Sequence, residues 1–163
     1  LVTGAAGAIG SGICERLLEE GCHVAASDVD GRQLDSLVQD LRKRFDDRVT
    51  GIVLDVTLEQ SVAAGFDALV EAWGGVDLIV VNAGLAHAAS LAEMDLAAFQ
   101  RLERVNVDGT LLVLRQAARL FERQGCGGDI VVVSSKNVFA PGAKFGAYSA
   151  TKAASHQLSL IHI

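Results

Sequence analysis

Five short runs rich in β-branched and other apolar residues alternate with longer amphipathic ones along this chain, and that alternation restricts the available folds more than any other feature. The strand-like runs are 1–3, 23–27, 51–54, 78–81 and 130–133. They are apolar throughout instead of alternating with polar residues, which suits a parallel sheet covered on both faces. Helical periodicity fills the intervals at 9–20, 33–45, 59–73 and 96–123, and a last helix begins near Tyr148. Strand–helix alternation repeated five times builds right-handed βαβ units, and these stack into a doubly wound α/β sheet of the Rossmann type. The stretch GCGGD, 125–129, reads as a helix stop and a turn into a strand.

The 163 residues make one domain or part of one, and with half of them apolar a sizeable core can form. A net charge of -6 with no basic patch argues against a nucleic-acid partner. The longest apolar run, VDLIVVNAGLA, is too short for a membrane span, and no secretory pattern opens the sequence. The chain begins at Leu1 inside an apolar run, so it is expected to lack its true start. Cys14, Cys22 and Cys126 are odd in number, widely spaced and without a C-x-x-C pair, so each reads as a small buried apolar residue. No metal site is expected, and the setting is expected to be the reducing cytoplasm.

The opening, LVTGAAGAIGSGICERLLEEG, runs from a strand through Gly4, Gly7 and Gly10 into a helix. Glycines there allow a tight turn and a close approach of backbone to a pyrophosphate at the helix N-terminus. The spacing is not G-x-G-x-x-G, so the turn alone is equally compatible with no ligand. Asp28 ends the second strand, where a carboxylate can accept from both hydroxyls of an adenosine ribose and repel a 2′-phosphate. As a helix cap before 31 it would be unremarkable. Asp55 follows the third strand and either faces an adenine or caps a helix. Asn82, Ala83 and Gly84 end the fourth strand. All these groups fall at the carboxyl ends of strands, the ligand-binding edge of an open α/β sheet.

Tyr148 and Lys152 are four residues apart on a helix and share a face. A free tyrosine, with a pKa of about 10, is a poor proton carrier at neutral pH, and a nearby ammonium favours the phenolate. Such a pair can move a proton onto or off an alcohol oxygen. Taken alone, the spacing is as well satisfied by two surface residues.

In combination and in this order, the TG-rich turn, Asp28, NAG, Ser134–Ser135 and Tyr-x-x-x-Lys resemble the short-chain dehydrogenase/reductase family over essentially the whole chain. The family's opening pattern T-G-x-x-x-[AG]-x-G is matched by Thr3, Gly4, Ala8 and Gly10, with Ala8 where glycine is commoner. The resemblance implies a catalytic set of Asn106, Ser135, Tyr148 and Lys152. Ser135 would hydrogen-bond the substrate oxygen, and Asn106 would hold a water in a proton relay. It implies NAD contacts at Thr3, Gly4, Gly7, Ala8, Ile9, Gly10, Asp28, Asp55, Val56, Asn82, Ala83 and Gly84, with Tyr148 and Lys152 at the nicotinamide end. The implied activity is NAD-dependent hydride transfer to or from an alcohol or carbonyl substrate of the sugar, polyol or hydroxy-aldehyde kind. NADP is disfavoured by Asp28. A homo-oligomer through the helices at 96–123 and from Tyr148 onward is also implied.

The run SSKNVFAPGAKFGAYSATKAA is similar, more narrowly, to the dehydrogenase half of bifunctional aldolase/short-chain dehydrogenases, and its Ser-Lys pair to hexitol-phosphate dehydrogenases. Lys136 and Lys144 would then flank the pocket, where a carboxylate, a phosphate or several hydroxyls are the groups they can meet; as solvated loop lysines they need no role. A non-catalytic dinucleotide-binding module on the same fold is the competing class, and it is disfavoured because the full catalytic set is present. The domain is expected to span 1–157 and to be incomplete, with 158–163 a non-native tail that resembles a translated sequencing adapter. The alternative is a native helix end with Leu158, Leu160 and Ile161 packing inward.

Overall fold

The computed structural model describes residues 1–160. Five parallel strands form one sheet: β1 (Val2–Thr3), β2 (Val24–Asp28), β3 (Val49–Val53), β4 (Leu78–Val81) and β5 (Asp129–Val132), in the order β3-β2-β1-β4-β5. Between them run α1 (Ala8–Glu19), α2 (Gly31–Phe45), α3 (Glu59–Trp73), α4 (Leu96–Glu103) and α5 (Gly109–Gln124), and α6 (Gly146–Leu160) follows β5.

Successive strand residues point to opposite faces, and in the central strands β1, β2 and β4 both faces are buried. Val24 and Ala26 join a cluster with Leu18, Leu34 and Phe45 from α1 and α2. Ala25 lies on the other face, with Phe66 and Leu69 of α3 and Val113 and Leu120 of α5. This two-sided burial is why the strands carry apolar residues at every position. Truncating the fully buried Phe66 to alanine costs on the order of 3–5 kcal/mol. At the edge, β5 pairs only with β4 among the described residues, and Val131 is half-exposed.

Local chemistry sets the ends of the helices. The Asp30 carboxylate accepts from Gln33 N at 3.0 Å and starts α2 at Gly31. Asp95 does the same for α4 through Ala98 N. Gly125, at a φ of 71°, closes α5 in the left-handed conformation and leads through the expected turn into β5.

The expected single helix at 96–123 is interrupted. Residues Arg104–Asp108 form one π-helical stretch between α4 and α5, and Asn106 sits within it. Periodicity cannot reveal such an insertion, because the apolar face continues on either side of it. The strand expected at 51–54 starts earlier, at Val49. Gly51, a weak strand former, is accommodated in mid-strand because a Cβ there would press within 3.2 Å of Val38 Cγ2 on α2.

Cys14 is buried, and burial pushes its thiol up to about 12, the state of an inert packing residue. Cys22 and Cys126 are exposed, against expectation, because they lie in the connections at the amino ends of β2 and β5. No cluster of metal-ligating side chains occurs among the described residues, and no helix there is long and apolar enough to cross a membrane. Helix α6 continues through 158–160. Leu158 packs against the core on the α3 and α5 side, and Leu160 is exposed. The rest of the expected tail, 161–163 with Ile161, lies outside the described residues.

Candidate active site

Strand order reverses between β1 and β4, so the α1 and α3 connections leave the sheet on opposite sides and open a crevice at the strands' carboxyl ends. A cleft of about 500 Å³ lies there. A larger hollow of about 840 Å³ lies at the opposite edge, beside Leu1, Cys22 and Cys126. The cleft at the carboxyl edge, not the larger hollow, carries the groups singled out from sequence.

Gly4, Gly7, Ala8, Ile9 and Gly10 form one wall of the cleft. Gly4 has a φ of 64°, and a Cβ on it would stand 2.8 Å from Ala83 Cα. At Gly10 a Cβ would meet Gly4 O at 2.2 Å, so only glycine lets α1 start this close to the turn. Gly7 caps α1 with no side-chain hydrogen bond, which leaves the first backbone N–H groups of the helix without side-chain acceptors. Thr3 lies behind this wall and not on it. It is fully buried, and its hydroxyl donates to Val80 O and accepts from Asn82 N and Ala83 N. Thr3 thus supports the turn from behind through its hydroxyl. Asn82 supports it from the other side, with Nδ2 donating to Thr3 O and Gly4 O.

Asp28 lines the cleft, and each of its oxygens accepts one backbone N–H, from Ala6 at 3.0 Å and from Asp30 at 3.0 Å. It caps no helix; Asp30 fills that role for α2. Asp55 accepts from Thr57 N and Thr57 Oγ1 in a tight turn, and it also caps no helix. Val56, Ala83 and Gly84 complete the expected lining. Sequence reasoning missed Val29, Leu54, Thr57, Leu85 and Val105, which also line it. The first four directly neighbour strand-end residues already singled out. Val105 reaches the cleft from the π-helical stretch, which hydrophobic periodicity does not reveal.

Of the other four residues, Tyr148 and Lys152 lie on α6, Ser135 follows β5, and Asn106 reaches α6 through Thr151. Lys152 is buried, and its Nζ donates to Val133 O at 2.8 Å, two residues before Ser135. Burial lowers its pKa from the ordinary lysine value. A Cβ built on Gly84 would lie 3.5 Å from Lys152 Nζ and 3.3 Å from Asn106 Oδ1, so the NAG turn separates the cleft from these two side chains by about one methyl group. Tyr148 is half-buried one turn before Lys152, with its ring edge-on to Phe145 at 5.9 Å. Ser135 is half-buried, and its Oγ accepts from Asn137 N.

Asn106 is almost completely buried. Its Oδ1 accepts from Leu85 N, and its Nδ2 donates to Leu85 O and to Thr151 Oγ1. Thr151 in turn donates to Tyr148 O. Both amide hydrogens of Asn106 are thus engaged within the fold. The side chain ties the segment after NAG to the helix that carries Tyr148 and Lys152.

Comparison with known proteins agrees with this architecture. Sorbitol-6-phosphate 2-dehydrogenase of Escherichia coli is 33% identical over 153 residues, which are 93% of this chain and 59% of that protein. A short chain dehydrogenase/reductase of Burkholderia phymatum, solved in complex with NAD, superimposes with a TM-score of 0.93 at 30% identity, covering 99% of this chain and 57% of that one. An alcohol dehydrogenase of Thermococcus sibiricus, solved with 5-hydroxy-NADP, gives a TM-score of 0.91 at 28% identity, covering 99% of this chain and 68% of that one. The chain spans about three fifths of the length of several curated relatives and 23% of another. The sequence model of the short chain dehydrogenase family matches residues 1–161. That match leaves almost nothing of the chain outside it, and the chain belongs to the short chain dehydrogenase family of oxidoreductases.

Proposed function

We propose that this chain forms the dinucleotide-binding and proton-transferring part of an NAD-dependent alcohol dehydrogenase of the cytoplasm. The observation that carries the reading is the placement of Lys152 Nζ directly behind the Gly84 turn, with Tyr148 one helical turn away. The acid–base pair thus stands at the end of a cleft already suited to a dinucleotide.

The cleft fits that cofactor. The uncapped start of α1 suits a pyrophosphate, the glycines leave room for it, and Asp28 offers an anionic edge to a ribose. Gly4, Gly7, Ala8, Ile9, Gly10, Asp55, Val56, Asn82, Ala83 and Gly84 complete the holding surface, with Thr3 as their support. Asp28 favours NAD, since a 2′-phosphate would face a carboxylate. When bound, the cofactor supplies the hydride chemistry. The chain's own residues handle the proton. The Tyr148 hydroxyl gives it to a carbonyl oxygen, and in the reverse direction the Tyr148 phenolate takes it from an alcohol. Ser135 Oγ holds that same oxygen. The Lys152 ammonium stabilises negative charge on the phenol oxygen and would help hold the nicotinamide ribose. Asn106 fixes the relation of α6 to the NAG turn and organises the path by which the proton leaves.

Tyr148→Phe in the protein made from its complete reading frame tests this. Turnover should fall by roughly a thousandfold or more, because the proton-transfer group is lost, while NAD binding is retained. Near-normal turnover of the variant would refute the assignment. A homo-oligomer through α4, α5 and α6 belongs to the same reading, and exposed Leu96 and Leu111 support it.

The substrate class we propose is a polyol, sugar or hydroxy-aldehyde, after the Ser-Lys pair and the sorbitol-6-phosphate relative. A second reading places an aldolase domain in the same polypeptide. Its support is a relative that is more than four times as long as the matched segment. The surrounding reading frame decides it.

A further inference from the structure

Tyr148, Lys152 and His156 follow one another at intervals of four along α6 and therefore share one stripe of that helix. The proton-transfer reading uses the first two and leaves His156 without a role. Successive turns of the stripe hold successive residues of the segment that leaves β5. Lys152 Nζ donates to Val133 O at 2.8 Å. His156 Nδ1 lies 3.4 Å from Ser134 Oγ, at the long end of the hydrogen-bond range, and either group can donate. The half-buried imidazole also meets the ring of Phe139 edge-on, with centroids 5.5 Å apart and an interplanar angle of 83°. Phe139 is 79% exposed, so this contact accounts for much of what covers it.

Ser135 lies between these two points of contact. Its Oγ accepts from Asn137 N, its carbonyl accepts from Val138 N, and Lys136 O accepts from Phe139 N. Residues 135–139 thus form one hydrogen-bonded turn, and His156 touches the chain on either side of it, at Ser134 and at Phe139. The ladder of β5 ends with Val133 N donating to Val81 O. Beyond that bond the segment leaves the sheet, and α6 takes over its support through Lys152 and His156.

We infer that His156 is a positioning residue for the oxidoreductase reaction: it fixes the turn that carries Ser135 against the helix that carries Tyr148 and Lys152. This rests on the oxidoreductase reading above. Ser135 and Tyr148 must meet the same substrate oxygen, and a misplacement of roughly 1 Å at such a group costs up to about a hundredfold in rate. His156 acts through Ser134 and Phe139, so its loss falls on kcat and not on the affinity for NAD.

The test uses the protein made from its complete reading frame, with NAD and either sorbitol or sorbitol 6-phosphate as substrate. In His156→Ala, kcat should fall by roughly tenfold or more, while the number of NAD sites and their Kd stay within about twofold of wild type. His156→Asn can keep the bond to Ser134 and should regain much of the loss; His156→Phe keeps only the ring contact and should regain less. Ser134→Ala combined with His156→Ala should be little slower than His156→Ala alone, because both remove the same bond. Hydrogen exchange reads the turn itself. The amides of 137–139 should exchange several-fold faster in His156→Ala, while those of α1 and β2 keep their wild-type rates. Unchanged exchange at 137–139, unchanged kcat, fully additive losses in the double variant, or a fall in NAD sites that matches the fall in kcat would overturn the inference. Where neither compound is oxidised, the exchange rates decide. If the wild type binds NAD and His156→Ala changes nothing, only this inference fails; if the wild type does not bind NAD, the oxidoreductase reading itself fails.

Discussion

Replacing Asn106 with alanine should destabilise the protein more than its single polar side chain suggests. Three hydrogen bonds disappear: Leu85 N to Oδ1, and Nδ2 to Leu85 O and to Thr151 Oγ1. Thr151 keeps its bond to Tyr148 O, but both backbone groups of Leu85 lose their partner. An unsatisfied group costs about 1–3 kcal/mol. Because Leu85 is partly exposed, water recovers some of this and the lower end applies. Two such groups and the small void left by the amide bring the loss to roughly 2–4 kcal/mol. For a protein of this size that lowers the melting temperature by about 5–15 °C. Thermal unfolding of wild type, Asn106→Ala, Thr151→Val and the double variant measures it. Since Asn106 and Thr151 share a bond, the double variant should lose less than the sum of the single ones. A fall of less than about 2 °C in Asn106→Ala, or strict additivity with Thr151→Val, would refute the clamp.

Gly10→Ala should nearly abolish dinucleotide binding, measured by fluorescence titration, because its Cβ would lie 2.2 Å from Gly4 O and force α1 away from the turn. Asp28→Ala should reduce the preference for NAD over NADP by about tenfold or more in kcat/KM, and a wild type that prefers NADP would defeat the reading of Asp28. Lys152 gives a pH dependence. Its folded pKa lies below the ordinary 10.5, so in that window the unfolded chain binds more protons and folding is favoured as pH rises. Wild type should therefore gain stability relative to Lys152→Met between neutral pH and pH 10.5, followed by thermal unfolding; a constant or opposite trend would count against burial as the cause.

The sheet was legible because burial on both faces leaves a plain mark: apolar residues at consecutive strand positions, as in Leu78–Val81. The turn at Gly4 and Gly10 was legible because the backbone tolerates nothing larger there, so a local steric demand appears directly as a residue type. The role of Thr3 was not. A threonine beside a phosphate-binding turn looks like a ligand, and only the fold shows its hydroxyl turned away into the β1–β4 joint. Likewise capping α2 stood as an alternative role for Asp28, and the structure gives that cap to Asp30. Their division of labour is fixed by the Ala6 N–H, which comes from a turn 22 positions away. The π-helical stretch at Asn106 is the clearest case. In sequence it shows only as polar Asn106 and small Gly109 in an otherwise regular helix. Gly109 is explained by Val56, whose Cγ2 would lie 2.8 Å from a Cβ, and Asn106 by Leu85 and Thr151. Each odd residue answers to a partner more than 20 positions away. A residue that breaks the local rule of its own helix therefore points to a tertiary contact, and for Asn106 that contact reaches Thr151 on the helix that bears Tyr148 and Lys152.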